Sequence, residues 1–296
     1  LPLPPGLTLK QAAALPEVLA TAWMNLYMVA GVKPGERVLV HAAASGLGTA
    51  TIQLAVAMGN EVFATAGSDD KLAYCRELGA TGTWNRHHGS FADAVKDWGG
   101  ADMLLDPVGG DYIAENQKCL NMEGRIVLIG LMGGMDAKLN TGAMLMKRQR
   151  VMGSTLRAQP ISVKGEVMDA LYEQVWPRLA SGEIKPVIDR TWPIAEANDA
   201  LAYLASNEST GKVLLEVSPC PGNPRTTHWL SGSTQPLGPG RRPAWSSIRM
   251  TKSRRMKCQS VSAKRPTSMP APTRASSARM DVRVTIPSRR PCSCTG

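Results

Sequence analysis

An α/β fold built on a parallel sheet is what the 296-residue sequence predicts. Short β-branched or apolar runs alternate with segments of helical periodicity over the first 218 residues. Several runs are apolar at every position, as in strands that are buried on both faces, whereas a sandwich would favour alternation of polar and apolar residues. A Gly-containing turn joins the first predicted strand to the following helix. Together these features favour a doubly wound parallel sheet of the Rossmann type.

The first half of this region repeats strand, turn and helix. A leading helix is expected over residues 7–30, because apolar residues recur at helical spacing after the start signals Pro4, Pro5 and Thr8. The β-branched and apolar runs that follow predict strands at 37–41, 61–65 and 83–85. The periodic segments after them predict helices at 49–58, 69–78 and 90–98.

The second half continues the alternation and then departs from it. Apolar runs predict strands at 103–105, 125–129 and 151–156, and a long periodic segment predicts a helix over 161–179. We then expect an extended segment at 186–190, a helix at 195–205 and a closing strand at 212–217. From residue 219 onward Gly, Pro, Ser, Thr and Arg dominate and no apolar stripe persists. Such a segment buries too little apolar surface to offset an ordering cost of roughly 1–2 kcal/mol per residue, so we expect residues 219–296 to be a disordered, low-complexity tail.

Charge is divided unevenly along the chain. Residues 1–220 hold 19 Lys and Arg against 23 Asp and Glu, whereas residues 221–296 hold 15 basic residues and one acidic residue, Asp281. The main body therefore lacks the basic surplus of a nucleic-acid-binding protein, and nonspecific phosphate binding by the tail is the alternative left open. The sequence contains no apolar run of membrane-spanning length and no signal-peptide pattern, so the expected compartment is the cytoplasm. Because Leu1 is not Met, we expect the true start to lie upstream.

The turn after the first predicted strand carries the strongest local signal. It contains the five residues Ala44, Ser45, Gly46, Leu47 and Gly48. Small residues permit the tight turn, Gly46 would let a pyrophosphate approach the backbone, and Gly48 would let the helix pack closely on the strand. Free N–H groups at the helix start would then face the phosphates. An ordinary strand-to-helix turn is the competing interpretation.

The end of the second strand suggests which dinucleotide is bound. An NAD site would place a carboxylate there to hold the ribose diol, but the strand ends in Ala66-Gly67-Ser68. Ser68 and Lys71 offer a hydroxyl and a cation suited to the 2′-phosphate of NADPH. Asp69 and Asp70 weaken this inference, and Ser68 could equally be a helix cap with Lys71 solvated.

Arg86 closes the third strand, near the expected adenine end of the cofactor, where it could stack on adenine or pair with the 2′-phosphate. A solvated loop arginine is the alternative. His87 and His88 lack a third ligand at metal-site spacing, and His41 is interpreted as a hydrogen-bonded core residue. The six cysteines show neither zinc-ribbon nor disulfide-framework spacing, so no metal site is expected.

Two further Gly-containing turns follow the next strands, at residues 106–110 and 130–134. Since ligands of doubly wound folds bind at the carboxyl ends of the strands, these turns are expected to border the nicotinamide. They could also be ordinary loop glycines.

These motifs together resemble the medium-chain dehydrogenase/reductase superfamily, and within it the zinc-free quinone oxidoreductases similar to zeta-crystallin. The resemblance covers about residues 1–218. It is carried, in family order, by V-L-V-H-A-A-A-S-G-L-G-T-A-T-I-Q-L-A at 38–55, T-A-G-S-D-D-K-L…L-G-A at 65–80, D-P-V-G-G at 106–110, R-I-V-L-I-G-L-M-G-G at 125–134 and T-G-K-V-L-L at 210–215.

The resemblance implies a role for each matching position. The turn at 44–48 would cradle the pyrophosphate, and Ser68 and Lys71 would take the 2′-phosphate. Leu131 and Met132 would contact the nicotinamide side through their main chain, and Leu156 and Arg157 would line the same cleft. Arg86 stands where the family often has Tyr, so we expect Arg86 to take over the role of that Tyr. Ser45 stands where the family commonly has Gly.

The resemblance also implies a domain organisation. Residues 1–30 would be the linking helix from a GroES-like catalytic domain truncated at its amino end, 31–160 the dinucleotide-binding Rossmann domain, and 161–218 a helix and a segment returning to the catalytic domain. Residues 219–296 have no counterpart in the family and would be a basic tail, either disordered or translated out of frame. Homodimers would form through the edge strand near 151–156.

The function implied is NADPH-dependent hydride transfer to a quinone or an activated alkene, without zinc. Enoyl or alkenal double-bond reduction is the nearest alternative. An NADPH-binding module without turnover is a second alternative, and nucleic-acid binding by the tail a third.

Overall fold

Six parallel strands form the central sheet of the computed structural model, which describes residues 1–217. The strands are β1 (Arg37–Val40), β2 (Glu61–Ala66), β3 (Gly82–Asn85), β4 (Ala101–Asp106), β5 (Leu120–Leu128) and β6 (Arg150–Gly153). Their spatial order is β3-β2-β1-β4-β5-β6, with every neighbouring pair parallel. This is the doubly wound Rossmann topology that the sequence predicts. The order reverses between β1 and β4, so the crevice beyond their carboxyl ends is where a ligand is expected.

Helices cover both faces of this sheet. Those between the first and last of its strands are α3 (Gly46–Ala57), α4 (Asp69–Glu77), α5 (Ala92–Asp97), α6 (Tyr112–Cys119) and α7 (Thr141–Lys147). Along β1 the buried side chains alternate between two core clusters, with Val38 and Val40 in one and Leu39 in the other. A strand buried on both faces has no polar side, which explains the uninterrupted apolar runs in the sequence.

The leading segment differs from the single helix predicted over 7–30. It forms α1 (Leu9–Ala13), α2 (Pro16–Trp23) and a π-helical turn at Met24–Val29. Thr8 caps α1 through a reciprocal side-chain pair with Gln11, which agrees with its interpretation as a start signal. Pro16 lacks an N–H and occupies the first position of α2, so it begins a new helix.

The long helix predicted over 161–179 is also divided. It consists of α8 (Ile161–Gln174) and α9 (Trp176–Ser181), with Val175 at φ −108° between them and Pro177 in the first turn of α9. As at Pro16, the proline lies in the first turn of a helix, where backbone N–H groups have no acceptor within the helix and the missing N–H of proline costs no hydrogen bond.

Other boundaries also differ from the expected ones. Strand β5 begins at Leu120, five residues before its expected start, and β6 ends at Gly153, three residues before its expected end. Helices α6 and α7 were not predicted, because neither has a continuous apolar stripe in the sequence.

The returning segment forms a separate two-stranded parallel sheet. It contains β7 (Ile188–Pro193), α10 (Ala197–Ala205) and β8 (Lys212–Glu216). The first of these strands was expected at 186–190 and lies slightly later. No helix in residues 1–217 is long and apolar enough to cross a membrane. The tail predicted at 219–296 lies outside the described residues.

Candidate functional site

The turn between β1 and α3 lies at the crevice where the strand order reverses. Ala42 adopts a left-handed conformation with φ 49°, and Ser45 then caps α3 by accepting a hydrogen bond from Gly48 N at 3.1 Å. The N–H groups of Gly46 and Leu47 have no protein acceptor within residues 1–217. Two unpaired donors at the start of a twelve-residue helix suit an anionic group.

Both glycines of this turn are closely packed. A Cβ on Gly48 would clash with the carbonyl oxygen of Ala43, and a Cβ on Gly46 would clash with Cδ of Lys212. Gly211, the neighbour of Lys212, donates its N–H to the Ala44 carbonyl at 2.8 Å. The strand-to-helix turn is therefore held from one side by the returning segment, a contact that the sequence did not predict.

The residues expected to hold a 2′-phosphate meet at the end of β2. Ser68 Oγ caps α4 by accepting from Lys71 N at 3.4 Å, and Lys71 Nζ donates to the Asn207 carbonyl at 2.5 Å. The carboxylate of Asp69 accepts a hydrogen bond from Asn85 Nδ2 at 2.9 Å. The Asp69 carboxylate is therefore bonded to the end of β3. This bond disfavours a role for Asp69 in binding the ribose diol of NADH.

Arg86 lies over the same strand end. Its guanidinium atoms Nη2, Nε and Cζ are 3.1–3.3 Å from the position that a Cβ on Gly67 would occupy, so the guanidinium lies directly against this glycine. Burial and then the charge of Arg86 lower the pKa of Lys71, while Asp189 and Glu208 oppose this. Within the described part of the chain Arg86 has no ion-pair partner. Two cations thus lie at one strand end, and neither forms an ion pair within the described residues.

The two turns expected at the nicotinamide side are joined to each other by backbone hydrogen bonds. Ile129 N donates to Asp106 O at 2.9 Å, Met132 N to Pro107 O at 3.3 Å and Gly133 N to Val108 O at 2.7 Å. A β-bridge also pairs Gly109 with Gly134. The segments 106–110 and 129–134 therefore form one wall beyond the ends of β4 and β5.

The remaining predicted residues occupy different positions along this side. The side chains of Leu131 and Met132 are 52% and 71% exposed, so it is their main chain that joins the wall. Leu156 and Arg157 lie beyond the end of β6, one strand further out. Leu156 packs partly against the core and Arg157 is exposed.

His41 is the buried, hydrogen-bonded core residue that the sequence predicts, but its partners were not predicted. Its Nδ1 lies 2.8 Å from Thr65 Oγ1, and its Nε2 lies 2.8 Å from Asn116 Oδ1. Asn116 Nδ2 in turn donates to Asp106 Oδ2 at 2.9 Å. Burial lowers the pKa of His41, against the opposing effects of Asp106 and Asn116, so the ring is neutral at pH 7. Asn116 belongs to one of the two unpredicted helices, which is why no sequence pattern indicated it.

The two adjacent histidines lie directly after β3. His87 and His88 are exposed in a 3₁₀ turn. Within residues 1–217 no three His, Cys, Asp or Glu side chains are grouped as a metal site would require.

Comparison with known proteins gives a consistent set of relatives. Residues 46–173 match the family described as zinc-binding dehydrogenase. Quinone oxidoreductase-like protein 2 of Bos taurus is 35% identical over 222 residues, which are 73% of this chain and 62% of the bovine protein. The chain thus spans less than two thirds of the length of that relative.

Solved structures of quinone oxidoreductases and enoyl reductases are also similar to this chain. The quinone oxidoreductase of Thermus thermophilus, determined alone and with NADPH, is 36% identical with a TM-score of 0.66, covering 73% of this chain and 69% of that one. The enoyl reductase JamJ is 28% identical with a TM-score of 0.64, covering 74% of this chain and 66% of that one.

Proposed function

This chain belongs to the quinone oxidoreductase-like family of the medium-chain dehydrogenase/reductase superfamily, and on that basis we propose that it is an NADPH-dependent oxidoreductase acting on a quinone or an activated alkene. The neighbouring Thermus enzyme was solved in complex with NADPH, which supports this choice of cofactor. The division at residues 1–30, 31–160, 161–218 and 219–296 is retained as part of the proposal, and so are a cytoplasmic location and the absence of zinc.

The observation that carries the proposal is the pair of cations at the end of β2. Arg86 is unpaired within the described residues, Lys71 is bound only to a carbonyl, and Asp69 is engaged by Asn85. A carboxylate pointing into this position would favour NADH, whereas two cations and the hydroxyl of Ser68 favour a 2′-phosphate.

The residues of the turn also fit the rest of a dinucleotide. The N–H groups of Gly46 and Leu47 have no acceptor among the described residues and would bind the pyrophosphate. The wall formed by 106–110 and 129–134 would border the nicotinamide, with Leu156 and Arg157 further along the cleft. NADPH supplies a hydride when it is bound. The role of the protein would be to orient the cofactor and to exclude water from one face of it.

A titration tests the cofactor assignment. NADPH and NADH are titrated by fluorescence into the unmodified chain, Arg86→Gln and Arg150→Gln. Arg150 is an exposed arginine at the amino end of β6 and serves as the matched control. We expect Arg86→Gln to weaken NADPH binding about tenfold or more, because a charge-assisted hydrogen bond contributes roughly 1.5–3 kcal/mol, while NADH binding stays unchanged. Equal losses for both cofactors would contradict a 2′-phosphate site.

The acceptor is tested by turnover. A small ortho-quinone and an α,β-unsaturated ketone are compared as oxidants of NADPH, since the enoyl reductase JamJ is also a structural neighbour. Faster turnover of the enone would favour the double-bond reductase alternative. Tight NADPH binding without turnover of either would indicate a cofactor-binding module.

We also propose that the protein is a homodimer joined through the edge strand β6. Strand β6 pairs only with β5 in the described sheet, so its other edge has unpaired backbone groups. Exposed apolar side chains lie in the segment leading to it, including Met135, Leu145 and Met146 at 84%, 79% and 75% exposure. An edge and an apolar surface side by side are typical of a subunit interface.

A further inference from the structure

The strand ends that meet at the reversal of strand order are connected by a buried chain of polar side chains. It runs from Thr65 on β2 through His41 at the end of β1 and Asn116 on α6 to Asp106 at the end of β4. All four residues are at most 3% exposed. The chain therefore spans the crevice from its adenine side to its nicotinamide side, inside the protein.

The direction of each hydrogen bond in this chain follows from its last member. The Asp106 carboxylate only accepts, and it receives Val108 N at 2.6 Å and Gly109 N at 2.9 Å on Oδ1 and Asn116 Nδ2 on Oδ2. The amide of Asn116 must then turn its oxygen to His41, so His41 carries its proton on Nε2. Nδ1 is left as an acceptor for the hydroxyl of Thr65. Every donor points toward Asp106.

Asp106 fixes the wall that faces the reacting end of the cofactor. Its side chain holds the N–H groups of the 106–110 turn, and its main-chain carbonyl holds Ile129 at the start of the 129–134 segment. A shift of Asp106 would therefore move both segments together, since they share backbone hydrogen bonds.

We propose that Thr65, His41 and Asn116 are positioning residues for the nicotinamide side of the cofactor site, which act through Asp106 on the wall formed by 106–110 and 129–134. This inference rests on the proposed NADPH function. Hydrogen-bonded buried groups hold such a wall to a fraction of an ångström, which apolar packing alone specifies less well. Phe91 and Tyr112 contact the His41 ring edge-on, with ring centroids at 4.7 and 5.0 Å, so the ring is packed as well as hydrogen-bonded.

The test separates the two halves of the cofactor. Affinities for NADPH and for adenosine 2′,5′-bisphosphate, which lacks the nicotinamide half, are measured on the full chain by calorimetry. His41→Phe keeps a ring but removes both nitrogens, and His41→Gln keeps a donor toward Asn116. Phe91→Leu is the matched control, because it disturbs packing against the same ring without removing a hydrogen bond.

We expect His41→Phe to weaken NADPH binding about tenfold while the bisphosphate changes less than about twofold. His41→Gln should restore most of the NADPH affinity, and Phe91→Leu should lower stability without this split. Equal losses for both ligands in His41→Phe, or unchanged NADPH affinity, would overturn the positioning role. Failure of the unmodified chain to bind either ligand would instead overturn the proposed function, and the positioning role with it.

A second measurement needs no cofactor. Ring-¹⁵N spectra of the unmodified chain should show His41 with a protonated Nε2 and an unprotonated Nδ1. In Asp106→Asn the amide at position 106 can donate toward Asn116, so Asn116 should turn over and His41 should shift its proton to Nδ1. A proton on Nδ1 in the unmodified chain would overturn the proposed direction of the chain.

Discussion

Two glycines of the strand-to-helix turn meet different kinds of neighbour. The Cβ position of Gly48 is blocked by backbone atoms of Ala43, whereas that of Gly46 is blocked by the aliphatic part of Lys212. A lysine side chain can change rotamer at small cost, but the backbone of a buried turn cannot move without moving its strand. The same kind of substitution should therefore have different consequences at the two positions.

We expect Gly48→Ala to lower the free energy of unfolding by about 2–3 kcal/mol, and Gly46→Ala to change it by less than about 1 kcal/mol, since alanine also favours the helix. Urea denaturation of both variants measures the difference. Equal losses would show that Lys212 is held as firmly as the backbone.

Residues of the site could be predicted from the sequence where they lie close together in the sequence. The turn at 44–48, Ser68 and Lys71 are indicated by local spacing after a strand, and the structure places them at the ends of β1 and β2. The contacts of Lys71 with Asn207 and of His41 with Asn116 join residues 136 and 75 positions apart. Nothing in a local pattern encodes such pairs.

At the scale of elements, an ion pair between the buried Arg125 and the half-buried Glu36 fastens the start of β1 to β5. Both terminal nitrogens of Arg125 bond the Glu36 carboxylate, at 2.9 and 2.8 Å, and its Nε donates to the carbonyl of Ala30 at 3.0 Å. The Arg125 side chain is only 5% exposed. Burial alone would raise the pKa of Glu36, but hydrogen bonds from Arg125 and Lys33, with their charges, outweigh it and hold the pKa below its ordinary value of 4.5.

This pair predicts a pH dependence of stability. Because the pKa of Glu36 is lower in the folded protein, the stabilisation is fully present above about pH 4.5 and is lost as the pH falls through the folded-state pKa. Glu36→Gln should cost about 1–2 kcal/mol at pH 7, since solvent reaches part of the carboxylate. The difference from the unmodified chain should shrink as the pH falls below about 4.5. Chemical denaturation at about pH 7, 5 and 4 measures it, and a difference that stays constant would contradict the assignment.

Element types were more predictable than element ends. Strands buried on both faces were identified because their apolar runs are short and uninterrupted. The prediction of single helices over 7–30 and 161–179 was wrong. A second helix begins at Pro16 in the first segment and just before Pro177 in the other, and neither proline interrupts the apolar spacing in the sequence. Helix α6 was missed because its buried residues include Asn116 and Gln117, whose partners are polar groups of other segments. Helix α7 was missed because it has no buried residue and therefore no buried apolar face.

For the whole molecule, the expected assembly is a dimer joined through the edge strand β6. Replacing Leu145 and Met146 together by Lys adds charge to the exposed apolar surface beside this edge. Both side chains are at least 75% exposed in the single chain, so its folding should be unaffected. We expect the unmodified protein to sediment as a dimer at micromolar concentration and the double variant as a monomer.

Leu9→Lys is the control for this experiment. Its side chain is 63% exposed on α1, in the leading segment. Dissociation by Leu9→Lys as well, or a monomeric unmodified protein, would contradict an interface at β6.

The returning segment also has a consequence for biosynthesis. It supplies Gly211 to the carbonyl of Ala44, Asn207 to Lys71, and Lys185 to the side chain of Gln53, and the last two of these pairs are separated by 136 and 132 residues. Ribosomes add residues one at a time, so the sheet strands around the turn are made long before the segment that holds it. A nascent chain halted before residue 185 should therefore lack these contacts, and its affinity for the cofactor should develop only as β8 leaves the ribosome.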